Sequence, residues 1–183
     1  MNVINATTGV PCRAKFSRQR GASLLEGIAY LGIAAIVVLG AVSLLTGAMS
    51  SAKANQTTEE LIALRTAVKK LYAGQTYPET GVAATVIAAK AVPSTLVVNS
   101  TASTITNAWG GAVTLAGPSG GGPTFSVVYN NMPQDVCVNA LSGASGWTSI
   151  AQGSVSKNVF PLPPADASAV CNAATNSVTF TSN

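Results

Sequence analysis

Residues 18–53 read RQRGASLLEGIAYLGIAAIVVLGAVSLLTGAMSSAK, and the rest of the chain is organised around them. A basic segment ends at Gly21, and the apolar run that follows is broken by one charge, Glu26. From Gly27 to Ala52 the chain carries no charged side chain. As helix at ~1.5 Å per residue, that length reaches ~39 Å, enough to cross a hydrocarbon core of ~30 Å. A carboxylate near the end of such a span costs a few kcal/mol unless it is paired, so Glu26 is a functional candidate. No cation within the apolar run meets it. A cut between Gly21 and Ala22 supplies one, because the new α-amino group has an ordinary pKa of about 7.7–8.0.

This arrangement resembles the class III signal and N-terminal helix of type IV pilins. The residues that carry it are the basic leader, Gly21, Ala22 at the start of the mature chain, Glu26 as its fifth residue, and the long apolar run. The resemblance implies cleavage at Gly21–Ala22 by a prepilin peptidase. It also implies pairing of Glu26 with the Ala22 amine of a neighbouring subunit during assembly. A leader of 21 residues and a first mature residue other than phenylalanine are similar to the type IVb class.

Charge places the segments. The formal charge is +4 over 183 residues. Arg13, Lys15, Arg18 and Arg20 all precede Gly21, with no acidic residue among them, so residues 22–183 are formally neutral. That argues against a nucleic-acid partner. A basic leader beside a long apolar segment stays cytoplasmic by the positive-inside rule, which puts the remainder across the membrane. An ordinary secretory signal has a shorter apolar core with its cut after it. A late cut near Ala48 or Ala52 is the competing reading, and it releases a soluble binding domain.

The cysteines sort by place. Cys12 lies in the leader, while Cys137 and Cys171 remain on the oxidising side. Bridged, they enclose 33 residues and stabilise by roughly 2–5 kcal/mol; two reduced core thiols are the other reading. In the pilin family such a pair bounds the variable region, here residues 137–171.

Taken in order, the expected organisation is a removed leader 1–21, a membrane and assembly helix 22–52, and a globular domain 53–183. Within that domain Leu61, Leu64, Val68 and Leu71 recur at helical spacing, with Glu59, Glu60, Arg65, Lys69 and Lys70 off the stripe. One long helix over about 23–72 follows, with Thr57 or Thr58 as caps of a separate helix if it kinks near 53–57. Gly32 and Gly40 are expected to mark where the helix loosens on assembly. Residues 73–94 read as a loop with a short helix at Val82–Ala91. Strands are expected at Thr95–Val98, Ala112–Ala116, Thr124–Tyr129, Val136–Leu141, Val155–Phe160 and Ser177–Thr181. The stretch 117–123, GPSGGGP, reads as a hairpin connection, and Trp109 as a packing residue at the helix–sheet junction.

The fold class is therefore α+β, a long N-terminal helix with a membrane-spanning first half, packed on an antiparallel sheet. This again resembles the pilin fold. With no histidine in the chain, triads and metal–histidine clusters are excluded in their usual forms. Asp135 and Asp166 do not make an Asp-rich calcium loop, so no metal, cofactor or enzymatic activity is expected. The function implied by the resemblance is that of a structural subunit of a type IV pilus, with the major pilin as the first reading. Minor pilins and type II secretion pseudopilins share the same signal. The implied partners are copies of itself, the prepilin peptidase, the assembly platform with its ATPase, and the inner membrane before export. The filament would serve adhesion, aggregation or conjugative contact at the cell surface.

Overall fold

A computed structural model describes residues 23–183. The chain divides into two compact units, 1–43 and 44–183. In the first, described from residue 23, the helix α1 (Leu24–Leu71) begins. Every described side chain there is exposed except Gly27, which is half-buried.

In the second unit α1 becomes amphipathic. Its buried residues are Ala54, Thr57, Glu60, Leu61, Leu64 and Val68, a stripe at the three- and four-residue spacing that keeps one helix face inward. No separate cap forms at 57–58. Thr57 and Thr58 donate their hydroxyls to the carbonyls of Lys53 and Ala54, one turn back, so both lie inside the helix. Glu60 corrects the expectation that it lies off the stripe: it is 3% exposed. It sits one turn before Leu64, and Tyr129 and Gln56 satisfy it. Lys69 and Lys70 occupy the last turn, where cations complement the unpaired carbonyls.

The sheet has seven antiparallel strands: β1 (Val97–Asn99), β2 (Thr104–Thr106), β3 (Ala112–Ala116), β4 (Phe125–Pro133), β5 (Ser149–Gln152), β6 (Val155–Lys157) and β7 (Thr175–Ser182). They lie in the order β1-β2-β3-β4-β7-β5-β6. The last strand thus inserts beside β4, and its long partner makes the centre of the sheet. Alternation decides the faces. Phe125, Val127 and Tyr129 of β4 and Val178, Phe180 and Ser182 of β7 point inward, cross-paired in register. Together with Ile105, Val113, Leu115 and Ile150 they meet Leu61, Leu64 and Val68 in one core.

Three helices follow α1. Val82–Ala88 forms α2, shorter than the expected 82–91 and set inside the segment read as a loop over 73–94. The expected strand Val136–Leu141 is instead part of α3 (Gln134–Ser142), and α4 (Pro164–Val170) was not expected at all. The apolar residues Val136, Cys137, Ala140 and Leu141 recur at helical spacing and are buried. In so short a run that pattern also fits a strand.

Local chemistry sets the turns. Asn107 Oδ1 accepts from the backbone N–H groups of Trp109 and Gly111 at 3.0 and 2.8 Å, and its Nδ2 donates to the Asn130 carbonyl at 2.6 Å. Gly111 lies so close to that carbonyl that an added Cβ would overlap it. The 117–123 stretch joins β3 to β4 as expected. It is also tied to Tyr77, whose N–H donates to the Gly122 carbonyl at 2.8 Å and whose carbonyl accepts from the Gly122 N–H at 3.0 Å. Tyr77 in turn packs between Tyr72 and Phe125, its ring tilted to both with centroids 5.7 and 4.8 Å away.

Candidate functional site: the assembly helix and its seat

The beginning of α1 carries the candidate chemistry. Gly21 and Ala22 lie outside the described residues. Glu26 is in the first turn of α1, with its carboxylate exposed. Tyr30, one turn on, donates its hydroxyl to Glu26 Oε1 at 3.3 Å. An acidic group belongs at a helix N-terminus, where unpaired N–H groups leave partial positive charge. Around and after it Leu24, Leu25, Ile28, Leu31, Ile36, Leu39 and Leu44 stand exposed. A helix apolar on all sides is stable only when lipid or other apolar helices surround it. The helix is long and apolar enough to cross a membrane. It runs through Gly32 and Gly40 without a break, and a Cβ at either glycine would meet nothing.

From residue 44 onward, polar contacts seat the helix on the domain. At the near end the Ser50 hydroxyl donates to Asp135 Oδ2 in the first turn of α3. That hydrogen bond is the main reason the Asp135 carboxyl sits below its usual pKa; the Val136 and Asp135 backbone N–H groups and the charge of Lys53 help, against a smaller opposing effect of burial. A cavity of about 270 Å³ opens here, lined by Thr46, Met49, Ser50, Lys53, Trp109 and Asp135 among others. Trp109 stands edge-on to Tyr129 at 6.1 Å, the junction role its sequence context suggested.

Farther along α1, the Tyr129 hydroxyl donates to Glu60 Oε2 at 2.6 Å, and Gln56 Nε2 donates to Glu60 Oε1 at 2.8 Å. Burial first, then the hydrogen bond and charge of Glu60, push the Tyr129 phenol well above its ordinary pKa, so it remains a donor. Arg65 closes the seat. Its Nε donates to Ser182 Oγ at 3.0 Å, and its guanidinium lies 5.5 Å from the centre of the Trp147 ring. Gly146 leaves the space that the guanidinium fills, and a Cβ there would overlap it. Reading by stripe alone missed Glu60 and Arg65, because their partners Tyr129 and Ser182 are 69 and 117 residues away.

Cys137 and Cys171 are joined as a disulfide with their Cα atoms 5.9 Å apart, linking α3 to the end of α4. Both are wholly buried. Among the described residues no cluster of three or more His, Cys, Asp or Glu side chains is placed to hold a metal.

Residues 51–183 match the family model described as PilS N terminal. The chain belongs to the PilS family. Among solved structures this PilS-family chain is similar to the type IVb pilin from Salmonella typhi. The two are 24% identical with a TM-score of 0.54, over 69% of this chain and 96% of that one. No curated protein matches it. Within the PilS family the chain thus has the fold of a type IVb pilin.

Proposed function

We infer that this pilin is inserted as a prepilin, cut between Gly21 and Ala22 by a prepilin peptidase, and polymerised into a type IVb pilus. The observation that carries the reading is the start of α1. An apolar helix is exposed on every side and interrupted only by Glu26 in its first turn. Before export the inner membrane covers that surface. In the filament the same helices from other copies cover it, so extraction exchanges lipid for protein at little hydrophobic cost. Glu26 then meets the Ala22 amine of a neighbour. A mispositioned copy leaves both charges unpaired in an apolar core, which sets register at a cost of several kcal/mol. The assembly platform and its ATPase supply the work of extraction, and the high-copy filament serves adhesion, aggregation or conjugative contact.

Intact-mass spectrometry of membrane and sheared surface material, with and without the host's prepilin peptidase, tests the reading. A mass beginning at Ala22 that disappears without the peptidase is expected. A chain retaining Met1, or one beginning after about residue 48, overturns it.

A further inference from the structure

The cavity beside Trp109 lies wholly within residues 44–183, and its groups carry both signs of charge. Thr46, Met49, Ser50 and Lys53 of α1 line it, and Trp109 and Asp135 help to complete it around about 270 Å³. Lys53 stands near enough for its charge to act on the Asp135 carboxylate, yet the two form no ion pair. Among the described residues neither the Lys53 ammonium nor the Trp109 indole N–H has a hydrogen-bond partner. Both residues enter the bonds around them through their backbones alone. Met49, in the wall of the cavity, and Leu45, one turn earlier, are exposed apolar side chains.

Length sets the depth of this site. A span that starts after Glu26 crosses a hydrocarbon core of ~30 Å in about 20 residues, so it ends near Thr46. Residues 49–53 then cover ~6 Å of helix rise. The headgroup layer on each side of a bilayer is ~5–7 Å deep. The basic leader puts this end of the span on the non-cytoplasmic side.

We propose that the cavity holds the headgroup of a phosphatidylethanolamine in the outer leaflet of the inner membrane. Lys53 takes the phosphate, Asp135 the ammonium, and Met49 and Leu45 meet the lipid chains. It rests on the reading above that the helix lies in the inner membrane before export. Charge complementarity selects this lipid. A headgroup with one phosphate and one primary ammonium answers one cation and one carboxylate, and both contacts are charge-assisted hydrogen bonds. Phosphatidylglycerol brings no cation and sets its own anion against Asp135, a repulsion. Phosphatidylcholine has both charges, but its quaternary ammonium has no N–H to donate. Trp109 suits the same layer, because its apolar ring and polar N–H are the combination that collects at bilayer interfaces. The bound lipid fixes the depth of the waiting subunit, and extraction into a filament strips it away.

Native mass spectrometry of the full chain tests this. The chain is reconstituted in vesicles of equal parts phosphatidylethanolamine, phosphatidylglycerol and phosphatidylcholine, washed with alkaline carbonate, released in mild detergent and weighed with its retained lipid. Wild type is expected to retain phosphatidylethanolamine at least about fivefold over either other lipid, since only that headgroup satisfies both charges. Lys53→Gln and Asp135→Asn, both at exposed positions, are each expected to bring the ratio near unity. Ser50→Ala removes the helix contact of Asp135 but leaves both charges, so the preference is expected to persist. Its loss there as well as in the charge variants would assign the effect to a loosened helix seat and overturn the site. Equal retention of the three lipids by wild type, or an undiminished preference in both charge variants, overturns the proposal. So does a lipid-free dimer, which gives the cavity to a second copy. Removal of the chain by the carbonate wash is a separate failure: it brings down the membrane reading, and the proposal with it.

Discussion

Glu60 is a carboxylate at 3% exposure that is held by hydrogen bonds rather than by an ion pair. Buried charges keep their place only when their lone pairs are satisfied. Tyr129→Phe removes one of two donors and is expected to destabilise the domain by about 2 kcal/mol, the size of a hydrogen bond to a charged group. Chemical denaturation measures it, and a loss under ~0.5 kcal/mol would mean the hydroxyl is incidental. Glu26 is the opposite case, a carboxylate with no packing role in the isolated chain. Glu26→Val is expected to leave membrane insertion and folding intact while abolishing sheared surface filaments. Normal filament yield from that variant would refute the pairing with the Ala22 amine. Ser50 and Asp135 give a pH-dependent contact. A carboxyl held below its usual pKa contributes stability above its unfolded value of about 3.9, and loses it as pH falls through the folded value. Ser50→Ala should therefore lower stability near neutral pH and leave it unchanged in strong acid. The pair is exposed, so solvent screening keeps the difference within about 1 kcal/mol. Thermal melts at both pH values read it.

Among the elements, α1 and the α3–α4 pair depend on different forces. The helix docks through Leu61, Leu64 and Val68, all nearly or fully buried. Leu64→Ala is expected to cost about 2–5 kcal/mol by transfer and cavity formation, measured by denaturant unfolding. A cost under about 1 kcal/mol would show that the helix face is not the core. The α3–α4 pair has short helices, neither of which is stable alone, and the Cys137–Cys171 bond holds them together. Cys137→Ser is expected to remove roughly 2–5 kcal/mol and to speed proteolysis in residues 137–171. An unchanged protease profile would show that packing alone suffices there.

At the scale of the whole molecule, the sequence carried the long-range order of the chain well. The apolar run, Glu26 and the stripe through Leu61, Leu64 and Val68 place α1, observed at Leu24–Leu71, within a residue or so of its ends. They do so because a long unbroken apolar run and the helical stripe that follows it are each legible over many consecutive residues, with only a kink near 53–57 left open. The strand at Ala112–Ala116 and the cysteine pair were equally legible. Within 134–170 only the strand expected at Val155–Phe160 was, observed at Val155–Lys157. Val136–Leu141 has apolar residues that suit either a strand or a helix, and what decides is the disulfide and the packing of α3 on α4. The short strands β2 and β5 also escaped, since three or four residues carry almost no pattern until a neighbour supplies the hydrogen bonds.

The sequence alone therefore determined the α+β class, the long helix, its apolar first part and the single carboxylate within it. These are properties of consecutive residues, and helix hydrogen bonds and hydrophobic periodicity are local. Only the tertiary structure decided that β7 lies between β4 and β5, that Glu60 is inside against Tyr129, and that Arg65 ends over Trp147. Each of these joins distant parts of the chain, as the separation of 69 between Glu60 and Tyr129 illustrates, and such pairings acquire free energy only once the whole core has closed around them.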